Sequence, residues 1–272
     1  MPAVLADRSL IPALLPPAAI AERGAFHPAA GEVPPLHDGR PIATLILLGW
    51  TGGVQWRYFA ASAEATDGRP DPLDRWSRRL IEYAAQELGA MPLFPFGGPP
   101  HHDFQAWALR AEPVARSPIG LLIHPRWGLW HAYRGALAFN ERLPLTQVPV
   151  PSSPCKGCLG RPCLRTCRVD AFRTDAYDIG SCAGHVGSVG GTGCRTHGCE
   201  ARRACPIGAE WAYAPDQAGY HMEAFLRGYG RSPVAGRTAG SGPAENIQPR
   251  TKPCVGSCPA ARAATTPTDE ET

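Results

Sequence analysis

Hydrophobic positions along the chain fall into short blocks with two different periods. Ile42-Ala-Thr-Leu-Ile-Leu-Leu-Gly49 is a continuous apolar run of strand length that ends in glycine, which predicts a buried strand. Thr51-Gly52-Gly53 then turns the chain, and residues 54–61 suit a helix. Leu73, Trp76, Leu80, Ala84 and Leu88 recur at helical spacing, with Ile81 and Ala85 widening the stripe. This predicts a helix over 71–88. Asp71 stands at its cap, Pro72 at the first position where a missing N–H costs nothing, and Gly89 at its end. A second helix is predicted over 103–111, ended by Pro113. Residues 119–124 and 133–139 read as strands, joined through Pro125-Arg126-Trp127-Gly128. The region 41–150 is therefore an α+β domain around a buried sheet.

The flanks read differently. Residues 1–40 are rich in Ala and Pro and lack a clean period, so they are expected to form a loosely ordered arm. Val148-Pro-Val-Pro-Ser-Ser-Pro154 is extended and marks a domain boundary. A cysteine-rich module, 151–230, follows. It closes with a helix over 215–229 in which Ala218, Met222, Phe225, Leu226 and Tyr229 lie near one face. Residues 231–272, rich in Gly, Pro, Ser, Thr and Arg, are expected to be a disordered tail.

Composition narrows the function. The 272 residues are 44% hydrophobic and carry a formal net charge of only +3, which argues against direct nucleic-acid binding. Arginine outnumbers lysine 25 to 2, so arginine clusters carry less information here than usual. No apolar run reaches the ~20 residues that span a bilayer. The first 23 residues, broken by Pro12, Pro16 and Pro17, lack a basic start and do not read as a signal peptide. A cytoplasmic, reducing location is expected, so clustered thiols point to metal or redox chemistry rather than disulfides.

Eight of the ten cysteines lie between residues 155 and 205. The first group is Cys155-x2-Cys158-x4-Cys163-x3-Cys167. The second is Cys182-x11-Cys194-x4-Cys199-x5-Cys205-Pro206. Each ends in Cys-x-(Val/Ile)-x-Ala, as Cys167-Arg-Val-Asp-Ala171 and Cys205-Pro-Ile-Gly-Ala209, a short internal repeat. A 4Fe–4S cube needs four thiolates converging on its corners. Three close cysteines can wrap one cube, while the next begins a helix that leads to the other. This predicts crossed ligation by Cys155, Cys158, Cys163 and Cys205 at one cluster, and by Cys167, Cys182, Cys194 and Cys199 at the second. Structural zinc also takes four thiolates, but zinc knuckles place a histidine third and zinc ribbons separate two C-x2-C pairs by a dozen or more residues.

His185 and His197 within the second group are read as surface or supporting residues. Seven arginines (161, 165, 168, 173, 195, 202 and 203) border the ligands, where they would tune potential, dock an acidic partner, or simply form a solvated face. Cys254 and Cys258 are left unassigned. The glycine-rich 184–193 lies between ligands rather than between a strand and a helix, so a phosphate-cradling role is not expected. There is no Ser/His/Asp set and no metalloprotease helix.

The stretch Ser117-Pro-Ile-Gly-Leu-Leu-Ile-His-Pro-Arg-Trp-Gly-Leu-Trp-His-Ala-Tyr-Arg-Gly-Ala-Leu-Ala-Phe139 resembles a segment of the cytoplasmic cobalamin-processing proteins and of the epoxyqueuosine reductases. The matching features are Ile123-His124-Pro125, Trp127-Gly128, Trp130 and Arg134-Gly135. Asp71-Pro72-x-Asp74 and the 42–49 run also look like the cobalamin-processing family, and the resemblance covers roughly 42–150. It implies a flavin-reductase-like mixed sheet followed by a small ferredoxin-like iron–sulfur domain. It also implies a cobalamin pocket lined or supported by His124, Pro125, Trp127, Trp130 and Arg134, with Arg134 helping to bind glutathione in some relatives. The acidic catalytic residue of the reductases and their helical-repeat transfer-RNA module have no match here.

The reading that results is an iron–sulfur electron-transfer protein with two 4Fe–4S clusters, serving its own N-terminal domain or a redox partner protein. The alternatives are a cobalamin-dependent reductase or processing enzyme fed by those clusters, and a zinc-stabilised interaction module.

Overall fold

The apolar run at 42–49 becomes the central strand of an antiparallel sheet in the computed structural model, which describes residues 1–16, 18–99, 101–173 and 176–230. In chain order the first elements are β1 (Ala3–Leu5), α1 (Leu10–Leu14), β2 (Ala21–Phe26), β3 (Thr44–Thr51), α2 (Trp56–Ala60), α3 (Ala63–Thr66), α4 (Pro72–Leu88), β4 (Met91–Leu93), α5 (Phe104–Ala111), β5 (Ala115–Arg116), β6 (Leu122–Ile123), β7 (His131–Phe139) and β8 (Leu145–Gln147). The large sheet runs β4-β7-β3-β2-β1-β8, and β5 pairs with β6 separately. Every neighbour in the large sheet is antiparallel, which corrects the expectation of a mixed sheet.

Strand β3 is buried on both faces, which is why it reads as an unbroken apolar run. Ile46, Leu48 and Trp50 pack toward α1, α2 and α4. Leu45 and Leu47 pack toward α5 with Phe104, Trp107 and Ala108. Alternation of successive side chains divides one strand between two cores. Asp103 caps α5, its side chain accepting from Ala106 N at 2.9 Å.

The first forty residues are not a loose arm. They supply β1, α1 and β2, and Leu5, Ile11, Leu15, Ile20 and Ala25 are all buried in the α4-side core. Short elements interrupted by prolines leave no run long enough to show a period. The strand expected over 119–124 shrinks to β6, because the chain turns at 117–120, where Gly120 N donates to Ser117 O.

Two β-bulges shape the sheet. Arg23 is the extra residue of β2 between Glu22 and Gly24. Arg134 is the extra residue of β7, opposite the Leu48–Gly49 step of β3. Each bulge aims an arginine into one face of the sheet.

The cysteine-rich part continues with α6 (Pro162–Arg165), α7 (Ile179–Gly187), α8 (Thr192–His197), α9 (Glu200–Arg203) and α10 (Pro215–Gly230). The junction near residue 150 is not a break in packing, since residues 1–230 fall within one compact unit. Ile119, Ile123 and Leu129 of the sheet part share a core with Cys163 and Cys205. Tyr220 of α10 packs its ring against Trp56 and Phe59 at 5.2 and 5.5 Å. The tail expected over 231–272, with Cys254 and Cys258, lies outside the described residues. Among the described residues no helix is long and apolar enough to cross a membrane.

Candidate metal centres

Two short helices, α6 and α9, pack against each other and distribute the eight thiols. Helix α6 carries the chain from Cys163 to Cys167, and α9 carries it from Cys199 to Cys205. Cys155, Cys158, Cys163 and Cys205 line one cavity, together with Ser117, Ile123, Leu129 and Ile207. Cys167, Cys182, Cys194 and Cys199 line a second, with His185, Glu200 and Met222. Each cavity thus takes three cysteines from one group and its fourth from the other. All eight are free thiols. The thiols surround a space rather than a point: among the described residues, no three His, Cys, Asp or Glu side chains converge tightly enough to hold a single ion.

Backbone amides point at the sulfurs. Ala171 N donates to Cys167 Sγ at 3.3 Å. The amides of Leu164 beside Cys163, Glu200 beside Cys194, Ala201 and Arg202 beside Cys199, and Ile207 beside Cys205 pull the same way. The Tyr177 hydroxyl stands beside Cys182 and acts in the same direction. These donors favour the thiolate form. Burial acts the other way and dominates, pushing the thiols of Cys155, Cys163, Cys182, Cys194 and Cys205 up and that of Cys199 to about 11. Ligation must therefore displace protons. Arg161, in left-handed backbone at φ 41°, lines the first cavity, and its charge opposes the burial effect at Cys155 and Cys163.

The sheet part meets the first cavity through a hairpin. His124 and Gly128 pair their backbones, with N to O distances of 2.8 and 2.9 Å. The His124 Nδ1 accepts from Arg126 N at 3.0 Å and Trp127 N at 3.3 Å, so the imidazole closes its own turn. Burial, with Arg23 and Arg126 nearby, pushes its pKa down to about 3. Gly128 sits at φ 55°, and a Cβ there would lie 1.8 Å from Ile207 O, two residues past Cys205. Only glycine allows that approach.

The residues expected to line a cobalamin pocket do not share one space. His124, Pro125 and Trp127 belong to the hairpin, with the His124 and Trp127 rings stacked at 4.0 Å. Trp130 is buried between Tyr213 and the Arg202 guanidinium. Arg134 lies on the α4 face of the sheet, bonded to Asp74 at 2.5 Å and to Ser77 at 2.9 Å. Trp127 is on the other face, beneath Arg23 at 4.8 Å. Arg134 alternates from Tyr133, which packs toward α5, and so points to the α4 face. Of the expected supporting residues, His197 is exposed and bonded to Thr196, while His185 lines the second cavity.

Sequence reading missed a buried charged group beside the hairpin. Arg23 donates to both carboxylate oxygens of Glu112, at 2.9 and 2.8 Å, to Trp50 O at 2.7 Å and to His131 Nδ1 at 3.2 Å. The Tyr133 hydroxyl donates to Glu112 as well. Burial pushes Glu112 up against the opposing pull of Arg23 and Tyr133, and it pushes His131 well down. Arg23 and Glu112 are 89 residues apart with no shared motif, so no local signal could have found them.

Neither a family model nor a curated protein matches the sequence. Three solved structures are similar to the chain. The epoxyqueuosine reductase from Streptococcus thermophilus is 15% identical, with a TM-score of 0.47 over 78% of this chain and 70% of that one. A selenomethionine-labelled epoxyqueuosine reductase gives 12%, 0.38, 65% and 52%, respectively. An epoxyqueuosine reductase with a modified tRNA-Tyr stem loop gives 12%, 0.40, 74% and 65%.

Proposed function

We propose that this chain is an iron–sulfur oxidoreductase, each cysteine cavity holding one 4Fe–4S cluster and electrons passing between them toward the sheet. The observation that carries this is the division of eight thiols into two fours around two cavities. When bound, the clusters supply one-electron chemistry.

The chain's own contribution is positioning. Helices α6 and α9 each bridge the cavities in a few residues, which at ~1.5 Å per residue keeps the centres on the order of 10 Å apart. Backbone amides and Arg161 offset the negative charge of a thiolate-bound cluster. Ile123, Leu129 and Ile207 exclude water from the first cavity, the one that abuts the hairpin of the sheet part. Electrons leaving there would reach an acceptor on the sheet or a redox partner protein.

Iron and acid-labile sulfide analysis of anaerobically purified protein tests the proposal. About eight of each per chain is expected. A colourless preparation holding two zincs would overturn it.

A second reading, in which the sheet presents cobalamin to the first cluster, is favoured by the hairpin abutting that cavity. It would use His124, Pro125 and Trp127, while Arg134 stays on the far face. A shifted corrin absorption band on adding cobalamin at micromolar protein supports it, and an unshifted band removes it.

A further inference from the structure

His185 faces the second cavity beside Cys167, Cys182, Cys194 and Cys199, and its Nε2 is buried with no hydrogen-bond partner among the described residues. An unpaired buried ring nitrogen is costly, and its surroundings hold it in place. Ser188 N and Oγ both donate to His185 O, at 3.0 and 2.7 Å. Arg195 Nη1 donates to Val186 O at 2.7 Å. Gly191 folds back so closely that a Cβ there would lie 1.8 Å from His185 O. The glycine-rich stretch 184–193 thus has a structural use: it wraps the backbone that carries His185. Cys182 and His185 are three residues apart on α7 and share one of its faces.

Tyr177 backs another side of the same cavity, behind Phe172, which lines it. Its hydroxyl stands beside Cys182, and its ring is stacked on Phe172 at 4.9 Å and 10°. The first cavity has a different wall, apolar at Pro118, Ile123, Leu129, Pro162, Pro206 and Ile207.

We propose that His185 Nε2–H and the Tyr177 hydroxyl are hydrogen-bond donors to a cluster in the second cavity and hold its reduction potential above the value its four thiolates alone would set. The inference rests on the iron–sulfur reading above. Reduction adds one negative charge to the cluster, and donors aimed at its sulfurs stabilise that added charge. His185 and Tyr177 are positioning residues in this role, not ligands.

The test is an anaerobic potentiometric titration of the full chain with dithionite and mediators, followed by absorbance and electron paramagnetic resonance. The unmodified chain should show two reduction steps. His185→Leu and Tyr177→Phe should each lower the same step by roughly tenfold in its equilibrium constant, ~59 mV for a one-electron couple. His185→Gln, which keeps an N–H, should restore most of the loss. Cys158→Ser, in the first cavity, should remove or alter the other step. Unmoved steps in the Leu and Phe variants, or movement of the step that Cys158→Ser removes, would overturn the inference. Should His185→Leu fail to fold, Tyr177→Phe carries the test alone, since it deletes only a hydroxyl from a partly exposed ring. Iron and sulfide are measured on the same samples. Their absence from the unmodified chain sinks the parent reading, whereas full clusters with unmoved potentials sink this inference only.

Discussion

Arg23, pushed out of register by the bulge in β2, forms a two-pronged ion pair with Glu112 in the interior, and the two side chains are 0% and 2% exposed. A buried charge that loses its partner keeps its desolvation penalty, so removing one member costs more than removing both. Glu112→Ala should lower unfolding stability by about 3–5 kcal/mol. The double substitution Arg23→Met, Glu112→Leu should lose less than the single one. Denaturant midpoints of the three proteins check this, and a double variant weaker than Glu112→Ala would refute the argument.

Crossed ligation has a signature in the pairing of losses. Cys163→Ser and Cys205→Ser line the same cavity, so each should abolish the same cluster and leave the other. Cys167→Ser should abolish the opposite one, with Cys182, Cys194 and Cys199. Iron content falling by about half, with matching resonance spectra for Cys163→Ser and Cys205→Ser, is the expected result. Matching spectra for Cys163→Ser and Cys167→Ser instead would mean uncrossed wiring.

Acid should destabilise the protein through histidines held neutral. Burial, helped by Arg202 and Arg134, pushes His221 down from 6.5 to about 4, and His124 falls to about 3. A histidine with a depressed folded pKa takes up its proton more readily in the unfolded chain. Its contribution is complete above pH 6.5 and is lost as pH falls toward the folded value. For His221 the loss between pH 6.5 and 4 is about 3 kcal/mol. Stability measured across that window should drop steeply in the parent protein and less steeply in His221→Phe. Equal slopes would show that His221 titrates normally.

Gln217, on α10, is fully buried, and both its amide atoms lack a hydrogen-bond partner among the described residues. Its Oε1 would lie 3.0 Å from a Cβ placed on Gly53. Gln217→Leu keeps the bulk and deletes two unmet polar groups, so it should raise stability by about 1–3 kcal/mol. A thermal melt reads this directly, and a lower melting temperature would show that the amide is satisfied in solution.

Where periodicity was long, the elements were legible in the sequence. Helix α4 reads from its stripe of Leu73, Trp76, Ile81 and Ala84, and β3 from its unbroken apolar run, because each buries a continuous face against a core. The close spacing of the cysteines was legible too, and the short helices α6 and α9 each lead from a cysteine of one cavity to a cysteine of the other. What the sequence left blank was set by contacts across long separations. Residues 1–40 show no period, and they fold because β3 needs β2 as a partner and the α4-side core needs Ile11 and Leu15. The antiparallel order of the large sheet likewise follows from how its strands return, which no local pattern records.

The sequence by itself determined the long helix α4 and the central strand β3, since each carries a continuous apolar face that must be buried. Only the tertiary structure decided that Trp127 and Arg134 face opposite sides of one sheet. Arg134 takes its side by alternation from Tyr133, whereas the seat of Trp127 beneath Arg23 joins residues far apart in sequence, and neither composition nor spacing carries a trace of that contact.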